Sequence, residues 1–198
     1  WSRKMPDDNG VITISEYKRE IIRCVSELDN DVLGVVKDKL QGTHTYEDDG
    51  AKLLTFIDRV FIVGNGGSHA IAEHISTDLN KRCKVKAYTL SNNSLQTALT
   101  NDYSQEDALT QWLKISELKK RDCVIAVSSS GKSPNIIRAL QYAGEVGSHT
   151  LSIFGMDGQP VLSGNRDHFV KIDSYNYGVV ELTSEIALHA IVEELVVE

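Results

Sequence analysis

Cysteine is scarce in this chain. None of the three, Cys24, Cys83 and Cys123, belongs to a CxxC pair. That removes a zinc ribbon and a disulfide framework, and free thiols suit a reducing compartment. Positive charge is also in deficit: 21 Lys and Arg against 28 Asp and Glu leave a formal net charge of −7. Nucleic-acid binding rewards clustered cations, so this balance argues against it, whereas a small phosphorylated ligand needs only local donors. There is no run of eighteen apolar residues and no signal-peptide pattern, so a soluble, cytoplasmic protein with no membrane partner is expected. No repeat, low-complexity stretch or linker interrupts the sequence, and residues 1–198 read as one domain. A nucleotide P-loop is missing too. Gly131-Lys132-Ser133 supplies its last three letters, but the glycine required five positions earlier is Ala126, so no nucleotide is expected.

What is present is a hydrophobic share of 41%, enough for a sizeable core, arranged in alternating patterns. Ile22, Val25, Leu28, Val32, Val35 and Val36 recur at helical spacing, which predicts one long helix from Ser15 to Leu40, capped by Thr13 or Ser15. A shorter helix is expected from Gly50 to Asp58. Together these make residues 11–59 an N-terminal helical extension whose apolar stripe packs on a partner subunit or on its own domain. Short apolar runs follow at Val60–Val63, Val85–Leu90, Cys123–Val127, Thr150–Phe154 and Phe169–Ile172. Helical patterns fall between and after them, at Ser68–Asn80, Asp107–Leu118, Ser133–Val146 and Val180–Val197. The alternation predicts an α/β fold: a doubly wound, mainly parallel five-stranded sheet with helices on both faces.

Ligands in such folds bind beyond the carboxyl ends of the strands, which singles out two loops. Gly64-Asn65-Gly66-Gly67-Ser68 lets a ligand approach the backbone and presents a helix N-terminus, though a glycine-rich turn also serves as a plain strand end. Ser128-Ser129-Ser130-Gly131-Lys132-Ser133 places four hydroxyls in six residues ahead of a helix that begins near Pro134. One serine would suffice as a cap, so the surplus points to a phosphate cradle. Elsewhere, His74 and Asp78 are four apart on one helix, and Glu185 and His189 are four apart on another. Either spacing also describes simple side-chain support on a helix surface.

The two loops at this separation resemble the SIS (sugar isomerase) family, and within it the phosphoheptose isomerases. The likeness extends over nearly the whole chain, including Asn101-Asp102, Asp157-Gly158 and the last helix. It implies an aldose–ketose isomerase that interconverts sedoheptulose 7-phosphate and D-glycero-D-manno-heptose 7-phosphate. It implies that Ser128, Ser129, Ser130 and Ser133 hold the phosphate, while Asn65, Gly66, Gly67, Ser68, Asn101, Asp102 and Glu181 contact the sugar. It also implies one zinc ion per subunit on His74, Asp78, Glu181 and His189, and a homotetramer with the site at a subunit boundary. Well-known members carry glutamate where this chain has Asp78 and glutamine where it has Glu181. One carboxylate arm is therefore shorter here and one charge is added. Lys132 stands where the family often has a neutral residue, so it either strengthens phosphate binding or points to solvent. In the implied chemistry Asp78 is the carbon base and His189 moves protons on oxygen, with Asp102 and Glu181 in reserve. Two alternatives stay open: a non-catalytic SIS protein that binds a phosphosugar or a partner, and an isomerase of another phosphosugar.

Overall fold

The computed structural model describes residues 12–41, 45–48, 51–54, 57–162 and 164–196. The chain opens with helix α1 (Ile14–Ser26), fixed at its start by a reciprocal capping box. The Glu16 amide donates to Thr13 Oγ1 at 3.2 Å, and the Thr13 amide donates to Glu16 Oε2 at 2.8 Å. The single helix predicted from Ser15 to Leu40 is in fact two. A second helix, α2 (Asn30–Gln41), starts where Asp29 Oδ1 accepts from the Val32 amide at 3.0 Å. An aspartate that caps a new helix ends the old one, because its side chain competes for the backbone donors. The helix predicted at Gly50–Asp58 is also corrected. Thr45–Asp48 (β1) and Ala51–Leu54 (β2) pair antiparallel, with Asp48 opposite Ala51. The intervening Asp49-Gly50 is a dipeptide that favours two-residue hairpins over helices. Of the expected 11–59 extension, residues 11, 42–44, 49–50 and 55–56 lie outside the described residues, as does Val197 of the expected last helix.

The core follows as β3 (Val60–Val63), α3 (Gly67–Arg82), β4 (Ala87–Tyr88), α4 (Asn93–Asp102), α5 (Ala108–Ile115), β5 (Cys123–Ser128), α6 (Pro134–Val146), β6 (His149–Phe154), β7 (Asp167–Lys171) and α7 (Tyr177–Leu195). The five strands β3 to β7 form one sheet in the order β4-β3-β5-β6-β7, and every neighbouring pair is parallel. Helix α4 has no counterpart among the predicted elements. It is capped by Asn92, whose Oδ1 accepts from the Leu95 amide at 3.0 Å.

Strand residues alternate between two hydrophobic cores. Val60, Ile62 and Ile125 face Ile71, Ile75, Leu188 and Ile191 on one side. Phe61, Val63 and Val124 face Leu109, Trp112, Leu113 and Leu140 on the other. Both faces are covered, so the strands read as continuous apolar runs. Each fully buried Ile, Leu or Phe contributes about 1.5–3 kcal/mol of transfer free energy. Helix α7 packs on α1, α2 and α3, which gathers four helices on one face. No helix among the described residues is long and apolar enough to cross a membrane.

All three thiols are free and buried. Burial raises each of them, and Cys123 is pushed up to about 12. The thiolate is the nucleophile, so these groups are inert while the fold is closed. Treatment of the native protein with an aromatic disulfide reagent at pH 8 should therefore release almost no chromophore, and denaturant should expose three equivalents. Rapid labelling of the native chain would contradict this packing.

Candidate active site

The sheet order places β3 beside β5, with Val63 level with Ala126. From β3 the chain winds outward to β4 on one side, and from β5 it winds to β6 on the other. The two loops flagged in the sequence therefore leave adjacent strands at a topological switch point, where a crevice opens.

An amide clamp joins them. Asn65 Nδ2 donates to Asn135 Oδ1 at 3.0 Å, and Asn135 Nδ2 donates back to Asn65 Oδ1 at 2.8 Å. Asn65 belongs to the glycine turn and Asn135 to the first turn of α6, so this reciprocal pair fixes the spacing of the loops. Asn135 was not singled out in the sequence, where it looks like any polar residue of a first helical turn. The clamp lines a cavity of about 190 Å³ together with His69, Gln96, Thr100 and Gln105. These are mostly neutral donors and acceptors, a set suited to hydroxyl groups. Asn101 and Asp102 are exposed at the end of α4, where the Asn101 amide donates to its neighbour's carboxylate at 3.1 Å. The cavity is lined instead by Thr100, one position earlier.

In the serine loop, Ser128 Oγ accepts from the Gly131 amide at 3.1 Å and Ser130 Oγ accepts from the Lys132 amide at 3.2 Å. Ser133 is the N-cap of α6 but makes no side-chain capping bond, and Pro134 opens the helix. Ser129 Oγ is buried without a hydrogen-bond partner among the described residues. Such a group costs free energy unless a ligand or water completes it. Gly131 has φ +61°, and a Cβ there would lie 2.5 Å from Gly158 Cα. The turn therefore needs glycine for both its backbone angle and its close approach.

The other chemistry gathers between α3 and α7. Residues four apart lie on one helix face, so His74 and Asp78 on α3 meet Glu185 and His189 on α7. His74 Nδ1 lies 3.1 Å from Glu185 Oε1 and His74 Nε2 lies 3.8 Å from Asp78 Oδ2. His189 Nδ1 lies 3.8 Å from Asp78 Oδ2, and His189 Nε2 lies 3.9 Å from Glu185 Oε1. Imidazole and carboxylate alternate around a ring, and the two imidazoles meet edge to face at 4.8 Å between centroids. Arg82 braces one corner. Glu193 holds its guanidinium through bonds of 2.7 and 2.8 Å, and the same group reaches Asp78 Oδ2 at 3.6 Å. That pairing raises the Arg82 pKa and lowers that of Glu193.

His74, Glu185 and His189 offer donor atoms that all lie within 4.8 Å of one another. Two imidazoles and a carboxylate are a fitting set for a divalent ion such as zinc, with Asp78 beside them. Of the four ligands implied by resemblance, His74, Asp78 and His189 are brought together. Glu181 stands one turn before Glu185, with its carboxylate against Gly67, where a Cβ would fall 2.6 Å from its oxygens. Glu185 was visible in the sequence only as the partner of His189 in a helix pair, and the fold gives that pair something to face. A cleft of about 500 Å³ between α1, α3 and α7 is lined by Tyr17, Gly67, His74, Glu181 and Glu185. The glycine turn thus borders both spaces, with Gly66 in the cavity and Gly67 in the cleft.

Comparison with known proteins agrees with this architecture. Residues 54–155 match the SIS domain. The chain belongs to the SIS domain family. A curated relative named phosphoheptose isomerase, from Helicobacter pylori (strain HPAG1), is 37% identical over 106 residues, which is 50% of this chain. The chain spans only about half of that relative, 55% of its length. A probable phosphoheptose isomerase from Thermoplasma volcanium is 31% identical over 148 residues, covering 72% of this chain and 71% of the relative. Among solved structures, phosphoheptose isomerase from Neisseria gonorrhoeae superposes with a TM-score of 0.77 at 21% identity, covering 92% of this chain and 97% of that one. At that identity the likeness speaks for the fold.

In this SIS domain the serine turn stands or falls with Gly131. Gly131→Ala forces a side chain against Gly158 and strains a left-handed φ, which costs about 1–3 kcal/mol. Thermal unfolding should show a lower midpoint for this variant.

Proposed function

We propose that this SIS domain is a phosphosugar isomerase that interconverts sedoheptulose 7-phosphate and D-glycero-D-manno-heptose 7-phosphate. One observation carries the reading: the ring of His74, Asp78, His189 and Glu185 lies on the helix that leaves the glycine turn and on the helix packed against it. The names of its relatives support a phosphoheptose as substrate, and the resemblance of the two loops points to this pair. Ser128, Ser129, Ser130 and Ser133 cradle the phosphate. Asn65, Gly66, Gly67 and Ser68 face the sugar, and Asn101, Asp102 and Glu181 contact it where subunits meet. Such an enzyme works as a cytoplasmic homotetramer. Exposed Ile14 and Ile22 on α1 and exposed Leu182 and Ile186 on α7 support an assembly that buries this side of the chain. Residues 1–198 act as one domain whose N-terminal helices join that interface.

The reaction moves one proton between neighbouring carbons through a cis-enediol. Asp78 takes the proton from C1 of the ketose while its C–H electron pair becomes the C1–C2 double bond. The C2 oxygen gains a proton as it becomes a hydroxyl. The carboxylate then returns a proton to C2, the O1 hydroxyl loses its own, and the aldehyde forms. His189 exchanges the protons on oxygen, and Arg82 keeps Asp78 in place. One zinc ion per subunit, held by His74, Glu185 and His189 with Asp78 or Glu181 completing the set, would polarise the carbonyl oxygen.

A second reading has an observation of its own. In a single chain the cavity at the Asn65–Asn135 clamp and the cleft bordered by His74 and Glu185 are separate spaces with no lining residue in common. A phosphosugar-binding protein without turnover needs only the first.

Turnover of sedoheptulose 7-phosphate, followed by NMR of the product with and without chelator, tests the proposal. Formation of the aldose that stops on chelation supports isomerase and zinc together. Formation indifferent to chelator leaves the work to Asp78 and His189. Binding without conversion favours the second reading. In an active preparation, Asp78→Asn and His189→Ala should each lower kcat by about 10²–10⁴-fold. Near-normal rates in both would sink the assignment.

A further inference from the structure

Beside the serine loop lies a second loop, residues 155–158, whose construction the reaction does not explain. Lys171 pins it from below by donating to the carbonyls of Gly155 at 3.3 Å, Gly158 at 3.1 Å and Met156. Partial burial lowers the pKa of that ammonium. Met156 takes a left-handed φ of 46°, which is uncommon for a residue other than glycine, and the turn presents Asp157 outward. Gly158 rests directly on Gly131 of the serine loop. The pinned loop is therefore packed directly against the serine loop.

Both oxygens of Asp157 are engaged by donors. Lys132 Nζ donates to Oδ2 at 2.9 Å, and the Tyr175 hydroxyl donates to Oδ1. Lys132 is part of the serine loop itself, and its amide is bonded to Ser130 Oγ. An ammonium and a phenol converging on a carboxylate are the same donors that would serve a phosphate. Side chains of Lys132 and Asp157 are 56% and 41% exposed, so the pair is weak enough to exchange.

We propose that Asp157 is an internal stand-in for the ligand's phosphate, holding Lys132 in reserve until a phosphate dianion displaces it. The proposal rests on the reading of the serine loop as a phosphate cradle. Displacement selects for charge. A dianion outcompetes the carboxylate for the ammonium, and a neutral sugar leaves the pair closed. The latch also touches the second half of the site, because Tyr175 precedes Asn176, the N-cap of α7, and α7 carries Glu181, Glu185 and His189.

The test is a titration with inorganic phosphate, read by ³¹P NMR, on the full chain and four variants. Lys132→Met should weaken binding about tenfold, the scale of one charge-assisted hydrogen bond. Asp157→Asn should tighten it by up to about fivefold, the scale of releasing one exposed ion pair. In the Lys132→Met/Asp157→Asn double variant the gain from Asp157→Asn should vanish, since no ammonium remains to be released. An equal gain with and without Lys132 would mean only that a negative charge had been removed nearby, and the proposal would fall. Ser130→Ala separates the two ideas. Weaker binding in Ser130→Ala alongside unchanged binding in Lys132→Met overturns the latch and keeps the phosphate loop. Wild-type affinity in Ser130→Ala, or no binding by the unmodified chain, overturns both.

Discussion

Strands β3 and β5 run side by side in parallel and in register, from Val60 opposite Cys123 to Val63 opposite Ala126. Everything at the carboxyl end of the sheet depends on this pairing. Each strand must pass its chain into a helix on leaving the sheet, and the two helices α3 and α6 start at neighbouring points. Their N-termini both present the positive end of a helix dipole. Two loops 64 residues apart in sequence, counted from Gly64 to Ser128, become one surface, and the Asn65–Asn135 pair joins them across it.

The second constraint is the packing of α3 on α7. It is built from apolar residues, Ile71, Ile75 and Leu79 against Leu188, Ile191 and Val192, all of them buried in one core. At the rim of that contact the same helices carry His74 with Asp78 and Glu185 with His189. Burial stabilises the contact, and the polar ring at its edge inherits the precision of the packing below. Arg82 and Glu193 extend the ring by a further pair, so Asp78 is braced by a cation that is itself held in two places. Alternation of imidazole and carboxylate gives each of the four side chains a neighbour of the other kind on both sides.

How much of this was legible in the sequence follows from where each feature's cause lies. The sheet, its two faces and the two loops were readable because their causes are local: apolar runs that end in glycine or serine. Four of the helices were placed within a few residues. The break at Asp29 was missed because the apolar spacing continues across it, and one capping bond to Val32 outweighs the pattern. The β1–β2 hairpin was missed although Asp49-Gly50 is a turn signal, because the residues around it lack strict alternation. Helix α4 was missed because Ser91-Asn92-Asn93-Ser94 looks like loop, whereas Asn92 is its cap. Glu185 was visible but undervalued. Its spacing from His189 is a common surface motif, and only the arrival of His74 from another helix, 111 residues away in sequence, gives it a partner.

Helix α7 carries Glu181, Glu185 and His189 on one edge, and Val180, Ser184, Ala187, Leu188 and Ile191 are buried along another. Both edges are defined by the same turn of the same backbone. Insertion or deletion of one residue inside this helix would rotate everything downstream by about 100°. Deletion of one residue just before Leu182 would carry apolar Leu182 and Ile186 into the places of Glu181 and Glu185, and the core ridge would be lost with them. The stretch from Val180 to Ile191 thus has a fixed length. Drift in chain length has to be absorbed outside it, in connections that hold neither a helix face nor the glycine and serine turns.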